Sequence, residues 1–160
     1  MNANIFNDGN LSADSDNTGL VAWDEKYNIG IEIIDEQHKE LLNLTNQLYQ
    51  ACLTGGETVD TVFKKTMAGM VKFVKYHFGT EQKLMERINY PWFTEHKKQH
   101  DVLIMEILMT AKEYNGNKKF VPNKFVRKLK DWIFHHIAIY DKKLGSYIIK
   151  LRQQEPFNTG

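Results

Sequence analysis

The chain has 160 residues, 42% hydrophobic content and a formal net charge of +1. That length suits one domain with one sizeable core. The near-neutral charge gives no electrostatic basis for binding nucleic acid or an anionic membrane. No stretch approaches the roughly 20 apolar residues of a membrane span. The single Cys52 excludes an internal disulfide and fits a reducing cytoplasm.

Residues 1–19 are rich in Asn and Asp, hold no Lys or Arg, and have no apolar run. They predict a mobile tail and not a secretory leader. Residues 20–34 change character. Trp23, Tyr27, Ile29, Ile31 and Ile33 alternate with polar residues, and Gly30 interrupts them. The alternation alone would suggest a strand. With no strand partner nearby, an extended arm anchored by Trp23 is the better reading.

Helix one is expected over residues 35–53, with Asp35 as N-cap and an apolar stripe through Ile34, His38, Leu41, Leu42, Leu48, Tyr49 and Cys52. Thr54-Gly55-Gly56 ends it. Helix two is expected over 57–87, with Phe63, Met67, Met70, Val74, His77, Glu81 and Leu84 on one face. A turn at Ile88-Asn89-Tyr90 follows, and Pro91 suits the first position of helix three. That helix runs to about residue 114 through Phe93, His96, His100, Leu103, Ile107 and Ala111, before the break at Asn115-Gly116-Asn117. Helix four begins near Pro122 and passes Phe125, Leu129, Trp132, Ile133, His136 and Tyr140, ending at Gly145 or near Arg152. Residues 153–160 read as a frayed tail. Met67, Met70, Met105 and Met109 are assigned to core packing, and the Lys-rich stretch 112–130 to a solvated face. Four amphipathic helices with short connections predict an all-α, up-down-up-down antiparallel four-helix bundle over 35–152, with an extended N-terminal arm.

The stripes are interrupted by ligand-type side chains. Five of the six histidines lie on them: His38, His77, His96, His100 and His136. Residues four apart on a helix are separated by about 40° around its axis, so His77 with Glu81, and His96 with His100, can each chelate one ion. His136 and Asp141 are five apart, about 140° on an ideal helix, and meet only if the turn is distorted. Each piece alone has a bland reading: a core histidine, a surface pair, a helix-surface aspartate. Together, seven ligands are too many for one ion and suit two six-coordinate ions sharing carboxylates. Imidazole with carboxylate points toward iron or manganese. His135 is about 100° from His136 and is read as outer-face.

Trp23, Tyr27, Gly30, Ile31 and Asp35-Glu36-Gln37-His38, then His77 to Glu81, Tyr90-Pro91, His96 and His100, Trp132 with His136, and Asp141 resemble, in order, the signatures of the hemerythrins in their bacterial single-domain form. The resemblance implies two iron ions with a bridging oxo or hydroxo group. By similarity His96, His100 and His136 hold one iron, His38 and His77 hold the other, and Glu81 and Asp141 bridge them. It implies dioxygen as ligand, with Ile133 and Trp132 lining its pocket. Two departures stand out: Ile133 where the family typically has Leu, and His at position 135.

The function expected is reversible dioxygen binding for storage, transport or delivery to an oxygen-consuming enzyme, by a cytoplasmic monomer that is not an enzyme. An oxygen or redox sensor acting through a partner, and a peroxide- or nitric oxide-reducing enzyme, are the alternatives. A ferritin-like enzyme is disfavoured, since it would carry Glu-x-x-His pairs that the ligand positions lack.

Overall fold

The structure is a computed structural model that describes residues 20–53, 57–116 and 122–154. The tail expected at 1–19, the break at 54–56 and most of the tail expected at 153–160 lie outside the described residues. The helices are α1 (Glu32–Leu53), α2 (Glu57–Arg87), α3 (Phe93–Gly116), α4 (Pro122–His136) and α5 (Lys142–Gln154). A five-residue π-helical turn, Ile137–Asp141, joins α4 to α5 without a break, so the two form one rod. The fold is the all-α, up-down-up-down antiparallel four-helix bundle with an N-terminal arm that the periodicity predicts. No described helix is long and apolar enough to cross a membrane.

The stripes meet as expected in the interior. Ile34, Leu41, Leu42 and Leu48 of α1 pack with Phe63, Met67, Met70 and Val74 of α2, Leu103 and Ile107 of α3, and Val126, Leu129 and Ile133 of α4. Two assignments fail. Met105 and Met109 are 57% and 58% exposed, on the outer face of α3. Their i, i+4 spacing matches that of a core stripe, but it runs opposite to Leu103 and Ile107, which carry the core contact.

The arm is less extended than its alternation suggests. It contains a single 3₁₀ turn, Glu25–Tyr27, whose N-cap Asp24 accepts from the Lys26 N–H. Helix α1 begins at Glu32, three residues before the expected cap, so Ile33 is exposed while Ile34 is buried. Asp35 is therefore inside the helix, and its carboxylate turns back to hold the arm. It accepts the Ile29 N–H at 2.7 Å and the Gly30 N–H at 3.1 Å. Gly30 turns the chain there with φ +83, a conformation that L side chains rarely adopt. Further along, Asn46 clasps Val21 through both its amide oxygen and its amide nitrogen. At the other side Lys142 donates to the Asn28 carbonyl at 2.8 Å, and Gly145 of α5 lies directly against Ile29. Pro91 lies in the turn leading into α3, where the Phe93 N–H donates to the Tyr90 carbonyl at 3.1 Å.

Candidate metal centre

All seven expected ligands come together in the bundle interior, each 0–3% exposed. α1 supplies His38, α2 supplies His77 and Glu81, α3 supplies His96 and His100, and the fourth rod supplies His136 and Asp141. The π turn resolves the five-residue spacing of that last pair. One extra residue in the helical turn brings Asp141 back beneath His136, with Oδ1 3.2 Å from His136 Nε2. His135 is exposed and outside the cluster.

The two carboxylates divide the histidines into two groups. Asp141 Oδ1 faces His96 Nε2 at 3.0 Å and His136 Nε2, while Oδ2 faces His38 Nε2 at 3.1 Å. Glu81 Oε2 faces His100 Nε2 at 3.0 Å and His96 Nε2 at 3.7 Å, while Oε1 faces His77 Nε2 at 3.7 Å and His38 Nε2 at 3.9 Å. Each carboxylate thus presents one oxygen to a three-histidine group and one to a two-histidine group. The potential ligand atoms form two sets, Glu81, His96, His100, His136, Asp141 and His38, His77, Glu81, Asp141, each lying within 4.8 Å of one another.

Protons do not account for this packing. The His136 Nε2 lies 3.1 Å from that of His96 and 3.0 Å from that of His100. Both oxygens of Glu81 and Asp141, and both nitrogens of His38, are buried without a hydrogen-bond partner despite these short approaches. Leaving so many buried polar atoms unpaired costs about 1–3 kcal/mol each. Lone pairs converging on common points are what a cation satisfies, so the donor set fits two metal ions.

The electrostatics suit a cation as well. Burial pushes His77 down to about 3, with the charge of neighbouring His38 adding to the effect. Burial likewise lowers His100 and His136. These imidazoles are neutral at physiological pH, as ligation requires. Burial holds the Glu81 carboxyl well above its ordinary range, and the charge of Asp141 adds to that. Burial acts on Asp141 in the same direction, but the surrounding histidines, His136 foremost, outweigh it and hold it well below. Without metal the pocket keeps one carboxylate ionised and resists the second.

The family model described as "Hemerythrin HHE cation binding domain" matches residues 29–148. The chain belongs to the hemerythrin family. It is 30% identical over 134 residues to a bacteriohemerythrin of Stenotrophomonas maltophilia, covering 81% of this chain and 82% of that protein. It is 26% identical over 127 residues to a bacteriohemerythrin of Methylococcus capsulatus, covering 79% of this chain and 95% of that one. A solved structure of wild-type hemerythrin superposes with a TM-score of 0.73 at 26% identity, covering 79% of this chain and 96% of that one.

In this hemerythrin domain several contacts that support the ligands are not visible from the sequence. Gln37 Oε1 accepts from His77 Nδ1 at 3.0 Å, and the Gln37 amide donates to Thr80 at 3.3 Å. That fixes the His77 tautomer and turns Nε2 toward the centre. Its partner is 40 positions away on another helix, so nothing in α1 alone marks it. Stacking holds two other rings. Phe78 lies on His100 at 3.7 Å and 3°, and Trp132 on His136 at 4.6 Å and 12°. Cys52 is not part of the site, and burial raises its thiol to about 11.

Gln37→Leu is expected to weaken metal binding about 10–100-fold, the usual cost of removing such a support. The loss should fall on one ion of the two, the one served by His77. A chelator competition showing both ions held as tightly as in wild type would reject the role given to Gln37.

Proposed function

We propose that this chain holds two iron ions with an oxo or hydroxo bridge and binds dioxygen reversibly there. Carrying the reading is the division of both carboxylates between a three-histidine and a two-histidine group. His96, His100 and His136 would hold one iron, His38 and His77 the other, and Glu81 and Asp141 would bridge. The iron pair supplies the dioxygen chemistry when bound. Hemerythrins are generally oxygen binders and not enzymes, which favours a carrier over a catalyst.

The protein's own share is ligand asymmetry, dryness and a small space. With one imidazole fewer, the two-histidine group would leave a six-coordinate ion one ligand short. A void of about 10 Å³ reaches His38, His77 and Asp141, and of the three-histidine group it touches His136 but not His96 or His100. Apart from the ligands, it is lined by Leu41, Val74, Phe78, Leu103, Trp132, Ile133 and Ile137, all apolar or aromatic. That size is about the minimum for one water-sized guest, and an apolar wall selects a neutral diatomic over an anion. No acid other than the ligand carboxylates lines it, so proton supply from a side chain is not built in.

Iron-supplemented expression and elemental analysis should give two irons per chain, and the reduced protein should change absorption reversibly between air and argon. A single tightly held zinc with no iron would end the reading. Rapid oxidation in one turn, without reversal, would favour the sensor or redox alternatives. Delivery to an oxygen-consuming enzyme and a cytoplasmic setting are part of the same proposal.

Ile133 is buried and lies one turn before His136. Ile133→Ala is expected to keep both irons but to admit azide and autoxidise about tenfold faster, because a widened apolar wall admits water and anions, whereas Ile133→Leu stays near wild type. Stopped-flow azide binding decides this, and unchanged rates at full iron content would leave Ile133 as packing only.

A further inference from the structure

Among the described residues, eleven large apolar side chains are exposed, and four of them, Val102, Met105, Leu108 and Met109, share the outer face of α3. The rest are scattered along the other elements. Contiguous apolar surface of this kind marks an interface, and methionine is enriched in such interfaces because it adapts to the surface it meets. The charges around the patch identify what covers it. Lys98 and Asp101 stand before it on the same exposed face, and Lys112 and Glu113 after it. At about 100° per residue, Asp101 and Leu108 lie on one flank of the Met105 ridge, and Val102, Met109 and Glu113 on the other. Lys112 leans toward the first flank and Lys98 toward the second.

We propose that α3 pairs with α3 of a second copy of this chain, antiparallel about a twofold axis at the level of Glu106. Such an axis sets each flank against the same flank of the copy. Asp101 then meets Lys112 of the second copy, and Lys98 meets Glu113 of the second copy. The two pairs share a midpoint to within one residue, which independent charge placement does not require. A parallel pairing would set Lys98 and Lys112, the charges nearest the ridge, against the same residues of the copy. Asp101 already holds Lys97 on its own helix at 2.7 Å through Oδ2, and Oδ1 is available to the copy. Beside Leu108 the apolar surface continues, since Ala111, one turn on, lines a cleft with Met67, Ala68 and Val71 of α2. One helix face buries less than the roughly 800 Å² per partner of a standard interface, so the dimer is weak, with a Kd of about 10–100 µM. The sequence reading places Met105 and Met109 in the core and expects a monomer.

The test is sedimentation of the full, metal-loaded chain from about 10 µM to 1 mM. The wild type should pass from monomer to dimer over that range. Met105→Lys, and separately Met109→Lys, should be monomeric throughout with unchanged circular dichroism and melting. Glu113→Lys alone and Lys98→Glu alone should each raise Kd about tenfold, since the reversal acts twice per dimer, and the double variant should return to within about threefold of wild type. A wild type that stays monomeric overturns the proposal. So does a dimer indifferent to Met105→Lys, or a double variant no tighter than the single ones. A dimer that forms only when residues 1–19 are removed also overturns it, because that segment would then be the occupant.

Discussion

Glu81→Leu is expected to raise the melting temperature of the metal-free protein while abolishing its capacity for two ions. The two effects have one cause. Glu81 is fully buried, both of its oxygens lack hydrogen-bond partners, and burial with the neighbouring Asp141 charge disfavours its ionised form. Without metal it is a desolvated carboxyl in a helical core, which costs about 1–3 kcal/mol. An apolar side chain of similar size removes that cost, as replacement of buried charges often does. For a domain of this size the gain corresponds to about 2–10 °C. With metal the sign reverses. Each group of histidines loses one oxygen, the bridge is left to Asp141 alone, and loading should fall to one ion or none. The loaded wild type should therefore melt above the variant, while the metal-free wild type melts below it. Calorimetry with and without iron decides this. Two ions retained by the variant, or a lower melting point without metal, would show that Glu81 is not held in place for a cation.

Gly145→Ala is expected to displace the arm and to loosen the two-histidine side of the centre. A Cβ at position 145 would lie 2.3 Å from the Ile29 carbonyl oxygen and 3.0 Å from Ile29 Cβ. The obstacle includes backbone, so no rotamer change relieves it, and the arm itself must move. Moving it strains a linked set of contacts: the Asp35 carboxylate on the Ile29 and Gly30 N–H groups, the Lys142 ammonium on Asn28, and the burial of Ile29 and Ile31. Overpacking of this kind costs about 1–3 kcal/mol, and charge-assisted hydrogen bonds lost with it add to that. Trp23, whose ring lies 6.4 Å from that of His38, travels on the same arm. Water should then reach His38 more readily, and chelator-driven metal loss should be faster than in wild type. A variant equal to wild type in melting temperature and release rate would show that the arm adjusts freely.

The bundle and the ligand positions were legible because both rest on helical periodicity. A histidine on an apolar stripe is conspicuous, and four helices repeat the signal. Periodicity fails where two faces of a helix share one spacing. Met105 and Met109 satisfy the i, i+4 pattern as well as Leu103 and Ile107 do, and only packing against α2 and α4 decides which face turns inward. It also fails for contacts between helices. Gln37 supports His77 and Phe78 stacks on His100, but neither is marked by its own neighbours in sequence. The role of Asp35 was hidden differently. Its residue type suits an N-cap, and it does bind free backbone N–H groups, but those of the arm and not of its own helix. Polar spacing alone cannot tell which of two nearby chain segments an acid will serve.

The π turn has a consequence for chain length. An α-helix losing one residue turns everything beyond the deletion by about 100°, so bundles rarely tolerate such a change. The Ile137–Asp141 turn holds one residue more than an α-helical turn, and the faces of α4 and α5 are already in phase across it. Removing exposed Ala138 should let the rod close into a continuous α-helix, with the His136 and Asp141 side chains then four positions apart and still on one face. Removing exposed Lys128, in regular α-helix, should instead swing His136, Asp141 and Gly145 away from their partners. Metal content of the two shortened chains compares them directly, and equal loss from both would mean that the turn is fixed by its surroundings. If they differ as expected, position 138 is where this rod can gain or lose length while the metal centre and the arm stay in register.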